Sequence, residues 1–350
     1  MRGPSGGRTS PLGFSGMLPL LAALAVATPA SCGTPDYHRD TAPHNYVFFG
    51  RDRERLADTA FLAHPTVRGA QVKYTWRELE PRRDGYDFRA IREDLTFLRQ
   101  HGKRLFVQLQ DVSFSETMIT PDYLNSDSIY HGGAAAKYEA DATGTSQFAG
   151  WVARRWDPAV RERFARLLNA LAREFDGSIE GIVLPETAIG FEDPAHQPAG
   201  FSAAVYADGV RETLTAARGA FRRSCVIIYA NFMPAGPSTD DGLGYLRGIY
   251  AHAAAIGVGV GGPDILPYRP FQRLNSLPLI EKRAPGVIAG MAVQDGNLAD
   301  RDRTSGHQIT VPELYGFAMT RLRLNYIFWG TEEPYYTTEV LPFLRALPGQ

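Results

Sequence analysis

Gly181-Ile182-Val183-Leu184-Pro185-Glu186 is a short, continuously apolar run that ends on a carboxylate, and the polar stretch 187–200 follows it. A run of this length without alternation reads as a strand buried on both faces, which is how strands of parallel sheets appear in sequence. Taken alone, Glu186 is ordinarily a helix cap or a solvated surface carboxylate. Its meaning depends on what flanks the strand.

Working outward, further β-like runs occur at 46–49, 69–74 and 104–110 before it, and at 226–230, 257–260, 287–293 and 326–329 after it. Segments of helical period separate them. Phe88, Ile91, Leu95 and Leu98 recur at steps of three and four, and Val160, Phe164, Leu167, Leu168, Leu171 and Phe175 form one stripe. Eight such βα repeats imply a parallel sheet closed into a (β/α)8 TIM barrel, an α/β fold, over one domain from 45 to 350. Glu186 then stands at the carboxyl end of the fourth strand, the face on which such barrels carry their chemistry. A doubly wound open sheet is disfavoured because no Gly-rich turn follows the first strand. Gly257-Val258-Gly259-Val260-Gly261-Gly262 matches G-x-G-x-x-G formally. Pro263 follows it and the strand lies inside it, so the glycines read as barrel packing instead.

The segment 111–157, after the third strand, is too long for an ordinary βα connection and carries Tyr123, Tyr130, Tyr138, Trp151 and Trp156. It reads as a wall of a cleft or as a second apolar cluster. The chain of 350 residues is 44% hydrophobic and 21% charged, with a net charge of −1. Those values give no electrostatic case for nucleic acid or for an anionic membrane as partner. Its eight histidines show no H-x-H or H-E-x-x-H spacing, so no metal ligand set is expected.

Residues 1–32 read as a targeting segment: Arg2 and Arg8, the apolar run 17–27, then Thr28-Pro29-Ala30-Ser31-Cys32. A linker spans 33–44. The expected location is outside the cytoplasm: periplasmic, secreted, or held at the envelope by a lipid on Cys32. Ala30-Ser31-Cys32 resembles the end of a lipoprotein signal, with Pro29 where that signal usually has Leu. Cys225 reads as a buried core thiol, and a monomer is expected.

Trp76-Arg77-Glu78-Leu79-Glu80-Pro81, then Gly85-Tyr86-Asp87-Phe88, resembles the second βα connection of clan A glycoside hydrolases. Asp111 after the third strand and Trp329-Gly330 after the eighth are similar to that clan as well. The resemblance implies a glycoside hydrolase with Glu186 as general acid/base; no cofactor is expected, and export is the reading of the segment 1–32. The chain departs from the clan at Pro185, where the clan usually has Asn, and at the seventh strand, where Gln294-Asp295-Gly296-Asn297 stands without a Glu.

Glycoside hydrolysis needs one carboxylic acid to protonate the leaving oxygen and a second carboxylate to attack the sugar or activate water. Asp295 is the first candidate for the second carboxylate, and Glu333 beside Glu332 is a rival. The expected carbohydrate-binding residues are Trp76, Gln108, Gln110, Asp111, Tyr229, Asn231, Asp264, Gln294 and Trp329. Gln108 and Gln110 share a phase along their strand and so face the same side. The alternative is a carbohydrate-binding barrel without turnover.

Overall fold

A computed structural model describes residues 42–140, 143–191, 194–234 and 244–348. The targeting segment, Cys32 and most of the linker lie outside the described residues. Eight parallel strands close into one barrel, each paired with its neighbours in chain order and the last with the first. They are β1 His44–Phe48, β2 Val67–Thr75, β3 Arg104–Gln110, β4 Gly181–Leu184, β5 Cys225–Tyr229, β6 Gly259–Gly262, β7 Ala289–Val293 and β8 Tyr326–Gly330.

Helices fill the connections. Arg89–Gln100 buries Ile91, Leu95 and Leu98, and Pro158–Phe175 buries the whole stripe from Val160 to Phe175. Asp157 caps the second of these through the backbone N–H groups of Ala159 and Val160. Two strands start two residues later than their apolar runs. Before β6, Gly257 ends helix Tyr245–Ile256 in the left-handed region at φ +72°. Before β7, Gly286 turns the chain at φ +84°.

The glycines of β6 are packing residues, as the sequence suggested. Gly261 pairs in register with Gly290 of β7, and a Cβ on Gly261 would lie 1.7 Å from the Gly290 carbonyl oxygen. Strands this close exclude any side chain at that point.

The barrel interior is layered. Tyr46, Phe106, Tyr326 and Phe328 interlock low in the barrel, with Phe106 edge-on to the other three at centroid distances of 5.0–5.1 Å. Above them lies a polar layer: Gln71 Nε2 donates to Gln108 Oε1 at 2.9 Å, and the Tyr229 hydroxyl donates to Gln71 Oε1 at 3.1 Å. Cys225 is buried in the same interior, as expected, but it is a disulfide cysteine and not a thiol.

The segment 111–157 is ordered around an antiparallel hairpin, Ala134–Ala140 with Ser146–Ala153. The hairpin packs on the loop that carries Glu186. Gly190 of that loop adopts φ +66°, and a Cβ there would come within 2.8 Å of the Tyr138 carbonyl oxygen. Tyr123 and Tyr130 pack together beneath the hairpin, whereas Phe114 and Phe148 remain exposed beside it. The segment therefore supplies both a small apolar cluster and a wall.

Candidate active site

The resemblance motif is architectural. Thr75 and Glu78 form a reciprocal capping box on the one-turn helix Trp76–Leu79. Four residues beyond Trp76, the wholly buried Glu80 accepts from the indole Nε1 at 2.9 Å and from the Asp84 backbone N–H at 3.1 Å. The buried Arg163 guanidinium also donates to Glu80. This i, i+4 pairing makes Trp76 a strut, packed edge-on to Phe164 at 5.0 Å and 1% exposed. Trp76 is therefore corrected from a carbohydrate contact to a core residue.

Four other expected contacts are corrected for similar reasons. Trp329 is fully buried, and its Nε1 donates to Asn45 Oδ1 at 2.9 Å. Gln108 and Tyr229 are buried in the polar layer, where their partners are Gln71 and each other's network. Asp111 is buried and held by both arms of the Arg155 guanidinium, at 2.8 and 2.5 Å. Its effect on the site is indirect: Arg155 Nη1 donates to the Glu186 carbonyl oxygen at 2.7 Å, fixing the backbone of that residue.

Glu333 stands in the loop after β8. It is exposed, accepts from the Thr337 hydroxyl at 2.6 Å and faces Arg55 at 3.9 Å. Its position suits a helix start better than chemistry in the barrel mouth.

The mouth gathers Glu186, Asn231, Asp264, Lys73 and Lys137. Asn231 follows β5 and donates from Nδ2 to Glu186 Oε2 at 2.8 Å. Its Oδ1 accepts from the backbone N–H groups of Ala188 and Phe232, which fixes which way the amide faces. Burial pushes the Glu186 pKa above the usual glutamate value of 4.5, opposed by the Asn231 bond. The Asp264 charge raises it further, while Lys137 and Lys73 draw it down.

Asp264, just past β6, is also shifted up, first by burial, with Asn297 and Lys73 opposing. Asn297 Nδ2 donates to Asp264 Oδ1 at 2.9 Å, and Asn297 Oδ1 accepts from the Ile265 N–H at 2.9 Å. Asp295 sits on the turn Gln294–Asn297 with Gly296 at φ +83°, which leaves it exposed beside the half-buried Gln294. Its carboxylate makes no hydrogen bond or ion pair among the described residues, and its charge is felt at Lys73. Gln110 keeps a buried Oε1 without a hydrogen bond among the described residues, at the mouth end of β3.

Lys73 and Lys137 escaped the sequence reading. Lys73 shares the inward phase of Gln71 on β2, so alternation was the available signal. Lys137 had none, because only the folded hairpin carries it toward Glu186. Its side chain is 1% exposed, lies 3.7 Å over the Phe114 ring and faces Glu139 at 3.4 Å. Burial lowers the pKa of both lysines, and the Glu186 charge opposes the shift in each.

No family model and no curated protein matches the chain in sequence. Solved structures do match in shape. The catalytic domain of the β-amylase from Paenibacillus polymyxa aligns over 83% of this chain and 93% of its own, with a TM-score of 0.53 and 9% identity. A GH10 endoxylanase from a sugarcane soil metagenome aligns over 85% of this chain and 89% of its own, with a TM-score of 0.50 and 12% identity. The fold is the (β/α)8 barrel. Among the described residues there is no group of three His, Cys, Asp or Glu able to hold a metal ion, and no helix long and apolar enough to cross a membrane.

Proposed function

We propose that this barrel hydrolyses glycosidic bonds, with Glu186 as the proton donor and Asp295 as the second carboxylate. The observation that carries the reading is Glu186 itself. It is a carboxyl group after β4, oriented by Asn231 and kept protonated to higher pH chiefly by burial. A general acid works best when its pKa approaches the working pH, and here burial raises the glutamate with the Asp264 charge adding to it. The bond from Asn231 and the two lysines limit the rise, so the group can also take a proton back.

Asp295 suits the opposite role. It is exposed after β7, three strands round the barrel from β4, free of hydrogen bonds among the described residues, and within the field of Lys73. An ionised carboxylate with open lone pairs can attack a sugar carbon or activate water. Asp264 is the less available carboxylate, since burial favours its protonated form and Asn297 occupies one oxygen.

Flat apolar faces for sugar rings are offered by Phe114 and Phe148 on the 111–157 segment, and by Phe271 beside Phe232. Gln110 and Gln294 supply hydrogen bonds in the same region. The two structural neighbours are by name a β-amylase and an endoxylanase, which supports carbohydrate as the substrate class. The leader-like segment 1–32 supports action outside the cytoplasm, where cofactor-free hydrolysis is at home.

The test is a panel of plant and bacterial polysaccharides, with the anomer of the first product read by NMR. Glu186→Gln and Asp295→Asn should each remove turnover by about 10²–10⁴-fold on any substrate found. Near wild-type turnover by Glu186→Gln on a proven substrate would sink the assignment.

A further inference from the structure

We propose that the substrate carries an anionic substituent, a carboxylate or sulfate on the sugar, and that Lys73 binds it at the barrel mouth. The inference rests on the glycosidase reading above and names its substrate class. Lys73 lies on the inward phase of β2, half-buried, with its ammonium 4.9 Å from the centre of the Phe48 ring. The ammonium makes no hydrogen bond or ion pair among the described residues. Its three N–H donors have no acceptor from the protein, and a half-buried ammonium that keeps access to solvent is open to one from a ligand.

The same lysine lines a crevice of about 490 Å³ between the loop after β1, the Trp76–Leu79 turn and helix Arg89–Gln100. Arg51, Arg53 and Arg89 also line it, with Glu78, Asp87 and Glu93. Each arginine there is answered by a carboxylate. Arg51 meets Glu78 at 2.7 Å, Arg53 meets Asp94 at 2.7 Å and Glu93 at 3.3 Å, and Arg89 faces Asp87 at 3.6 Å. Lys73 is the cation left over, placed where the crevice adjoins the mouth.

Around the mouth, Lys73 faces the charges of Glu186, Asp264, Asp295 and Arg51. The two shifted carboxylates, Glu186 and Asp264, are each held toward their neutral forms by burial. Lys137 stands as a second buried cation within the field of Glu186, its other carboxylate neighbour being the exposed Glu139. With Glu186 carrying its proton, as the acid role requires, Lys73 loses one of the charges it faces and has no acceptor of its own among the described residues. An anionic substituent contacting Lys73 supplies that acceptor as a charge-assisted contact.

The probes are oligosaccharides in matched pairs: uronic-acid oligomers with their methyl esters, and sulfated oligomers with their desulfated forms. Calorimetry on the Glu186→Gln protein reads binding without turnover. At least one anionic member should bind about tenfold or more tightly than its neutral partner, a difference of about 1.4 kcal/mol. The double variant Glu186→Gln/Lys73→Met should lose that preference, and Glu186→Gln/Lys73→Arg should keep part of it. The ester pair and the sulfate pair tell the two anions apart. Equal binding within every pair, no binding of any anionic member, or a preference that survives Lys73→Met overturns the inference. Wild-type hydrolysis of neutral members without preference also overturns it and leaves the glycosidase standing. Anionic members bound at Lys73 but never cleaved, with no other substrate found, overturn the glycosidase and leave the anion site.

Discussion

Asn231 Nδ2 donates to Glu186 Oε2 at 2.8 Å, while Asn231 Oδ1 accepts from the Ala188 and Phe232 backbone N–H groups at 3.2 and 3.0 Å. The residue after β5 thus fixes both the orientation and the proton affinity of the carboxyl group after β4. Its own orientation is fixed by the two backbone donors.

Removing that donor should move the pH profile. The bond favours the charged form of Glu186, so Asn231→Ala raises the Glu186 pKa further above 4.5. A general acid acts while protonated, and activity falls as pH rises through its pKa. The alkaline limb of kcat/KM should therefore shift to higher pH in Asn231→Ala. The two backbone donors left without Oδ1 should also cost about 1–3 kcal/mol, read by urea unfolding.

Asp264→Asn should act with the opposite sign. Its charge raises the Glu186 pKa, and the amide keeps an oxygen for Asn297. The alkaline limb should move to lower pH, and a profile that stays in place would show that the two carboxylates do not interact. Measuring both variants on one substrate gives shifts in opposite directions.

Glu186→Gln should stabilise the fold while removing activity. A carboxyl whose folded pKa is raised favours folding fully below its unfolded value, near 4.5, and loses that contribution as pH rises through the folded pKa. The neutral amide escapes the loss and still accepts from Asn231. Its Tm should exceed that of the wild type at about pH 7, and the gain should vanish at about pH 4. A gain of equal size at both values would mean that ionisation of Glu186 is not its source.

The buried tryptophans should matter for stability and not for substrate affinity. Trp76→Phe and Trp329→Phe each remove a buried indole donor, from Glu80 and Asn45 respectively. Each should cost about 1–3 kcal/mol in urea unfolding. KM should stay within about twofold of wild type, since neither ring reaches solvent. By contrast, Phe114→Ala should raise KM with little loss of stability, because Phe114 is 54% exposed.

The barrel was legible in the order of residues because its strands are buried on both faces and its helices on one. Continuous apolar runs and 3.6-residue stripes leave local marks, and all eight runs became strands in chain order. Glu186 was legible for the same reason, as the first charge after such a run. The shifts at β6 and β7 came from Gly257 and Gly286, whose left-handed conformations end a helix and a turn before the strand can start.

Which polar residues share the mouth was decided by closure alone. Lys73, Lys137, Asn231 and Asp264 come from β2, the hairpin, β5 and β6, separated by tens of residues, and no spacing encodes their meeting. The same closure buried Trp76, Trp329 and Tyr229, three expected sugar contacts, and packing gave each a protein partner instead. Local periodicity sets which face of each element is apolar. Charge coupling and exposure depend on distances across the barrel, and those exist only once it is closed.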